Sequence, residues 1–249
     1  MGSTSSHPPD RRAAVDVSGI DWDDDASIRR WAYQVWQHIT DHWGNDMTEA
    51  LRTVLTDRYT AAVAYATALH ATQTRKGNDI PYVAHLLGVS SLVLEAGGSE
   101  DEAIAGLLHD AVEDCGGLPT LAVIRSRFGG RVADIVLACS DSTDEDWKET
   151  VSYWERKEAY LEHLEATDDA RAVLVSIADK VHNARAIVTD LQQQGLTMFK
   201  KFKGTAGEIL TYYVECLRIA ETKNVPPALL WPLYTAVTEI DRYVMGGRA

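Results

Sequence analysis

The sequence predicts an all-α protein. Apolar residues recur at spacings of three and four through most of the chain, which is the period of one helix face. The sequence contains no sustained alternation of apolar and polar residues, the pattern typical of a half-buried strand. Glycines, prolines and capping residues separate the periodic segments at intervals that suit helices of ordinary length. We therefore expect a helical bundle.

The N-terminal region divides into a tail and a helix. Residues 1–20 are polar, contain two prolines and are expected to form a disordered tail. Segment 24–43 is amphipathic and rich in tryptophan, and its apolar positions recur every four residues at Trp31, Val35, Ile39 and Trp43. This helix either covers the core or contacts a second subunit, so the sequence leaves a homo-oligomer open.

Caps and breakers delimit the remaining helices. An Ala-rich helix with a cap at Thr48 is expected to end before the breaker-rich loop 74–81. Ser99 and Glu102 have the spacing of a capping box, in which each side chain accepts a hydrogen bond from the other's backbone. The acidic stretch 141–150 is expected to be a loop. The helices are expected over 47–73, 82–98, 99–117, 119–130, 131–140, 153–166, 168–195, 206–221 and 226–245.

Composition narrows the class of protein. The 249 residues show no internal repeat and no linker, so we expect residues 21–249 to form a single domain. No apolar run reaches the ~18 to 20 residues of a membrane helix, and the start lacks the apolar core of a signal peptide. The cysteines Cys115, Cys139 and Cys216 form no CxxC pair, which indicates reduced thiols. A cytoplasmic protein without a membrane partner is therefore expected.

The charge balance bears on the binding partners. The formal net charge is −13. A protein that binds nucleic acid without sequence preference needs a broad basic face, so no nucleic-acid partner is expected. An anionic small molecule remains compatible with this charge if a local cluster of Lys and Arg faces it.

The helix predicted over 99–117 carries ionisable residues on one face. At ~100° per residue, four of them fall within an arc of ~140°: His109, Asp110, Glu113 and Asp114. One interpretation is a solvated face with a chance histidine. The other is a metal site, because imidazole nitrogen and carboxylate oxygen together suit manganese, iron or zinc. The two acids one turn later would then be outer groups or a general base.

Further ligands for such a metal lie elsewhere in the chain. Asp179 follows the apolar run AVLVSIA, where an unpaired carboxylate is costly to bury, and Asn183 follows one turn later. His85 lies between apolar residues early in a predicted helix, where it is also compatible with a core histidine. Three predicted helices of one domain thus supply His85, the His109-Asp110 pair and Asp179.

Four motifs resemble one known family. The stretches ALHATQTRKGNDIPYVAHLLGV, AGLLHDAVEDC, IRSRFGGRVADIV and IADKVHNARAI are similar to the hydrolase domain of the RelA/SpoT enzymes and the small alarmone hydrolases. These belong to the HD-domain phosphohydrolases. The motifs span roughly residues 58–190. The resemblance implies an HD-domain helical bundle.

The resemblance also implies an activity and a set of site residues. The implied reaction is a Mn²⁺-dependent hydrolysis that removes the 3′-pyrophosphate of guanosine tetra- or pentaphosphate, (p)ppGpp, to give GDP or GTP and pyrophosphate. Glu113 and Asp114 would position or deprotonate the attacking water. The metal ligands matched by motif are His85, His109, Asp110 and Asp179. The substrate-binding residues matched by motif are Arg75, Lys76, Lys180, Asn183 and Arg185.

The chain departs from the family pattern near the nucleoside. The segment RKGNDIPY is one residue longer than the usual RKSGEPY-like segment, and Lys180 and Ala186 replace the family's usual Arg and Thr. An adenosine alarmone, NADPH or a nucleoside phosphate is therefore the alternative substrate, and an inactive nucleotide-sensing module is a further alternative. Arg156 and Lys157 either add positive charge to the site or lie on an exposed helix face. Because the chain ends soon after the helical region, we expect a stand-alone hydrolase without a synthetase domain.

Overall fold

The structure, a computed structural model, describes residues 53–140 and 150–246. Within these ranges the secondary structure is helical, and the β-structure is limited to an isolated antiparallel bridge between Thr74 and Pro81. The all-α fold class is therefore confirmed. The predicted tail, the Trp-rich helix 24–43 and nearly all of the acidic stretch 141–150 lie outside the described residues, and the single domain over 21–249 stays a prediction.

The helices of the described residues follow the predicted order. They are α1 (Asp57–Leu69), α2 (Val83–Glu95), α3 (Glu100–Leu108), α4 (Ala111–Asp114), α5 (Gly117–Phe128), α6 (Gly130–Cys139), α7 (Tyr153–Ala166), α8 (Ala170–Gln194), α9 (Ala206–Thr222) and α10 (Pro227–Gly246). A 3₁₀ helix, Gly195–Lys201, follows α8 directly. None of these helices is both long and apolar enough to cross a membrane.

Two predicted helix starts have different outcomes. Thr48, the predicted cap of the Ala-rich helix, lies outside the described residues. Residues 53–56, which were predicted to be helical, are not, and the Thr56 side chain accepts a hydrogen bond from the backbone of Arg58. Thr56 therefore satisfies one of the unpaired N–H groups at the start of α1. The capping box is confirmed, since Ser99 and Glu102 each accept a hydrogen bond from the other's backbone.

The helix predicted over 99–117 is interrupted. α3 ends at Leu108, and the short α4 begins at Ala111 after two residues in a turn. The Nδ1 of His109 lies 2.8 Å from the Gly106 carbonyl oxygen, and the ψ angle of Asp110 is −4°, away from the usual α-helical value. The single arc calculated for an unbroken helix is therefore wrong, although the four ionisable residues still lie close together.

α8 is the central helix of the described bundle. It packs against α2, α3, α6, α9 and α10. Its residues 172–181 are all buried, so this part of the helix is enclosed on every side. Most of these residues are apolar, but Asp179 and Lys180 also lie within the buried stretch. Two charged groups at the centre of a bundle require partners, and those partners form the candidate site.

Candidate active site

Three buried residues from three elements form a group that could hold a metal ion. His85 comes from the first turns of α2, His109 from the end of α3, and Asp179 from the middle of α8. One ligand atom from each lies within 4.8 Å of the others. Two imidazole nitrogens and a carboxylate oxygen suit a borderline divalent cation. The structure thus brings together residues that the sequence places almost a hundred positions apart.

Asp110 adds a fourth donor at the same place. Its Oδ2 lies 3.0 Å from Nε2 of His109 and 3.6 Å from Nε2 of His85. Burial on its own would raise the pKa of Asp110, but the contacts with the two histidines hold the pKa of this carboxyl well below its usual range. The Tyr82 hydroxyl donates to the same Oδ2 at 2.6 Å. The carboxylate is therefore anionic and fixed in orientation.

The orientation of His109 fits a metal ligand. Its Nδ1–H donates to the Gly106 carbonyl, so Nε2 is the nitrogen that faces the carboxylates and can hold a cation when it is unprotonated. Among the described residues, this Nε2 is a buried nitrogen without a hydrogen-bond partner, although carboxylates lie on both sides of it. A buried polar atom left in this way requires an explanation. A cation held by Nε2 and the neighbouring carboxylates provides one, so the residues present fit a divalent metal.

His182 orients His85 through a hydrogen bond. The two Nδ1 atoms lie 2.9 Å apart. Burial and the neighbouring His85 lower the pKa of His182 to about 4, so its imidazole is neutral at pH 7 and can accept the Nδ1–H of His85. This hydrogen bond directs the Nε2 lone pair of His85 toward Asp110 and Asp179. Asp179 and Asn183 were predicted site residues, but no role was predicted for His182, because its partner His85 is distant in the sequence.

Gly88 provides the space that His182 occupies. A Cβ added at Gly88 would lie 2.3 Å from Cδ2 and 2.4 Å from Nε2 of the His182 ring. Gly88→Ala is therefore expected to displace His182, misorient His85 and weaken Mn²⁺ binding by about 10-fold, the lower range for groups that support a metal ligand. Isothermal titration with Mn²⁺ measures this change.

Gly207 offers a matched control for this substitution. It also lies in a helix, α9, and a Cβ added there would meet no atom within 4 Å. Gly207→Ala should leave Mn²⁺ affinity unchanged. Equal affinity in the Gly88→Ala and Gly207→Ala proteins would contradict the role given to His182.

Asp179 has partners for both of its carboxylate oxygens. Oδ1 lies 3.2 Å from Nε2 of His85 and accepts from Nδ2 of Asn183 at 2.5 Å. Oδ2 accepts from Nζ of Lys180 at 2.7 Å. Burial would raise the pKa of Asp179, but Lys180 and the two histidines hold it well below its usual range. Lys180 is buried and contacts the acid directly, a placement that its predicted substrate-binding role did not include.

The candidate metal-binding group, which consists of His85, His109, Asp110 and Asp179, opens into a cleft of about 540 Å³. Glu113 and Asp114, predicted to act on the water, both line this cleft next to the group. Asp114 is an exposed residue, but its carboxyl group lies within the cleft, where burial raises its pKa and a hydrogen bond from Gln73 opposes this shift. Two acids thus face the same space as the metal-binding residues.

Positive charge gathers at the cleft despite the acidic chain. Arg75, Lys76 and Lys157 line it, together with Lys201, which the sequence analysis did not single out. Burial and nearby cations lower the pKa of Lys76; the cations, in decreasing order of effect, are Lys203, Lys201 and Arg156. The Nζ atoms of Lys76 and Lys201 each lie 5.4 Å from the centre of the Phe202 ring. This basic wall suits an anion with aromatic character.

The predicted substrate-binding residues are placed differently from one another. Arg75 donates to Oδ1 of Asn183 at 2.7 Å, and both line the cleft with Lys76 and Lys180. Arg185 is exposed and is not among the residues that line the cleft. The substrate-binding roles of all five remain predictions.

Comparisons with known proteins agree with this geometry. A guanosine-3′,5′-bis(diphosphate) 3′-pyrophosphohydrolase described as probable, from Synechocystis sp., is 30% identical over 166 residues, which are 66% of this chain and 21% of the relative. The guanosine-3′,5′-bis(diphosphate) 3′-pyrophosphohydrolase MESH1 of Xenopus tropicalis is 37% identical over 127 residues, or 50% of this chain and 66% of the relative. The chain therefore covers less than two thirds of either relative.

Solved structures give a similar result. A structure reported as a metazoan ortholog of SpoT that hydrolyzes ppGpp aligns with a TM-score of 0.59 and 26% identity, over 76% of this chain and 97% of that one. The structure of lmo0812 from Listeria monocytogenes aligns with a TM-score of 0.52 and 27% identity, over 63% and 96% of the two chains. The model of the HD domain matches residues 62–207, more than half of this sequence. The chain belongs to the HD domain family.

Proposed function

We propose that this protein is a metal-dependent hydrolase that removes the 3′-pyrophosphate of (p)ppGpp. The observation that carries the proposal is the buried His85, His109 and Asp179 group, which opens into a cleft with a basic wall. The relatives whose names contain this activity cover half of the chain or more. A buried metal group next to cations suits a substrate with several phosphates.

We infer separate roles for the residues that line the cleft. His85, His109, Asp110 and Asp179 would hold the divalent cation, which would supply Lewis acidity and lower the pKa of water when bound. Glu113 and Asp114 orient the attacking water and accept its proton. Arg75, Lys76 and Lys201 bind the phosphates through charge-assisted hydrogen bonds. Phe202 offers an aromatic surface beside these cations.

The reaction balances as a hydrolysis. The oxygen of water forms a bond to the phosphorus attached to the ribose 3′ oxygen, and the bond between that phosphorus and the 3′ oxygen breaks. One proton of the water passes to a carboxylate of the cleft, and the 3′ oxygen leaves as a hydroxyl after it gains a proton. The products are GDP or GTP and pyrophosphate, and neither an oxidant nor a second substrate is required.

We also propose Mn²⁺ as the metal. Two imidazoles and two carboxylates make a mixed nitrogen and oxygen donor set that suits manganese, and the same set accepts iron or zinc.

A cytoplasmic location, the lack of a nucleic-acid partner and the homo-oligomer remain predictions from the sequence. The basic wall of the cleft lies beside the candidate metal ligands and supports a nucleotide as the partner.

A substrate panel tests the proposed function. The purified protein is loaded with Mn²⁺ and incubated with ppGpp, pppGpp, ppApp or NADPH, and the products are resolved by chromatography. We expect pyrophosphate and GDP from ppGpp. Turnover of ppApp or NADPH alone would move the assignment to another nucleotide. A metal-loaded protein that hydrolyses none of the four would contradict the proposal and favour a nucleotide-sensing module.

A further inference from the structure

One loop joins α1 to α2 and touches the site at several points. Its ends are paired, because Arg75 N donates to the Ile80 carbonyl at 2.8 Å and Tyr82 N donates to the Gln73 carbonyl at 2.9 Å. We call residues 73–82 the support loop. Through Tyr82 it contacts Asp110, as described above. Through Gln73 it contacts Asp114 and His70.

Gln73 bridges an acid of the cleft and a buried histidine. Its Nε2 lies 2.8 Å from Oδ2 of Asp114, and its Oε1 lies 2.6 Å from Nδ1 of His70. A carboxylate only accepts hydrogen bonds, so the amide nitrogen must face Asp114. The amide oxygen then faces His70, and Nδ1 of His70 must carry the proton. The contacts thus define a direction of donation from His70 to Gln73 and from Gln73 to Asp114.

His70 is itself held in place from several sides. It is 3% exposed and its backbone N–H donates to the Ala66 carbonyl at the end of α1. Its ring stacks on Tyr82, with the ring centres 5.2 Å apart and the planes 25° from parallel. The Sγ of Cys115 lies 3.7 Å from its Nδ1. A buried, stacked imidazole can fix the amide that it donates to.

We propose that His70 and Gln73 are positioning residues that hold the Asp114 carboxylate toward the attacking water. This inference rests on the proposed function, since it concerns the water of that reaction. The Gln73 amide occupies one lone pair of Oδ2, which leaves the other positions of the carboxylate for the water. Neither residue contacts the metal-binding group, so their effect is on the acid and not on metal affinity.

The charge around Asp114 gives the direction of the expected effect. Asp110 and His109, from the turn between α3 and α4, and His70, from α1, all act on this carboxyl electrostatically, and the thiol of Cys115 is next to it in the chain. Burial raises the pKa of Asp114, and the Gln73 hydrogen bond opposes this shift because it stabilises the anion. Removal of that hydrogen bond therefore raises the pKa of Asp114.

Gln73→Leu removes both hydrogen bonds at nearly constant volume. We expect kcat to fall by about 10- to 100-fold, as for groups that orient a metal ligand, with KM and Mn²⁺ content within about two-fold of the wild type. The acidic limb of the kcat profile should move to higher pH, because Asp114 must then be deprotonated at a higher pH. Gln192→Leu, at an exposed position of α8, is the matched control and should change none of these values.

Substitutions of His70 separate positioning from packing. His70→Asn places an amide nitrogen near the original Nδ1 and should keep kcat and the pH profile close to those of the wild type. His70→Leu cannot donate and should resemble Gln73→Leu. If His70→Asn and His70→Leu give the same rate and the same pH profile, His70 acts only by packing and this part of the proposal fails.

A measurement without substrate keeps the inference testable if the proposed function fails. The orientation of the Asp114 carboxylate is compared in crystal structures of the wild type and Gln73→Leu proteins. The carboxylate should turn away from its wild-type position in Gln73→Leu, and an unchanged orientation would overturn the proposal. If Gln73→Leu does not fold, Gln73→Asn, which is too short to reach both partners, replaces it. A wild type inactive on every nucleotide refutes only the proposed function.

Discussion

Asp179→Ala is expected to release the metal and abolish hydrolysis. Its Oδ1 faces both histidines of the group, so the substitution removes the buried anion that a cation requires there. Groups that only support a ligand already change metal affinity or activity by 10- to 100-fold, so we expect a loss greater than about 100-fold for a ligand. Elemental analysis after gel filtration measures the bound metal, and release of pyrophosphate measures the rate.

Two further variants control this experiment. Asp168→Ala removes an exposed aspartate just before α8 and should leave metal content and rate unchanged. Asp179→Asn keeps the shape of the side chain and separates loss of the charge from loss of packing around Lys180. Full metal content in a folded Asp179→Ala protein would contradict the assignment of Asp179 as a ligand.

Glu113→Gln is expected to keep the metal and lose the rate. Glu113 lines the cleft but does not belong to the group of buried ligand atoms. The amide cannot accept a proton from water, so kcat should fall by about 10²- to 10⁴-fold, the usual contribution of a general base. Mn²⁺ content by elemental analysis and single-turnover rates with ppGpp measure the two effects separately.

Glu158→Gln provides the matched control for Glu113→Gln. It makes the same chemical change at an exposed position of α7 and should leave both quantities unchanged. If Glu113→Gln also loses the metal, Glu113 is a ligand. If it retains the wild-type rate, Asp114 alone acts on the water.

Local sequence signals predicted the helices well where tertiary contacts do not interrupt them. α7 begins and ends where the sequence predicts, because its capping residues and its periodicity are both local. The interruption after Leu108 was not predicted. Helical periodicity continues through His109 and Asp110, and the turn forms where those two side chains join residues from distant helices.

The candidate site also combines residues that the sequence identifies with residues that only the fold identifies. The acids and histidines of the metal-binding group could be selected from the sequence because ionisable residues beside apolar runs are unusual. Gln73, His182 and Lys201 could not, because each is an ordinary residue until the fold supplies its partner. Gly88 is the signal that could have identified His182. Glycine is unfavourable in the middle of a helix, so its presence indicates that a nearby side chain needs the space.

The two sides of the cleft differ in how readily they can open. Asp179 lies in the enclosed stretch of α8, so its exposure to solvent requires a free energy close to that of unfolding the whole bundle. Most residues of the support loop are exposed, so that side can open locally at a much smaller free energy. Local opening on that side can therefore occur many times for each exposure of Asp179.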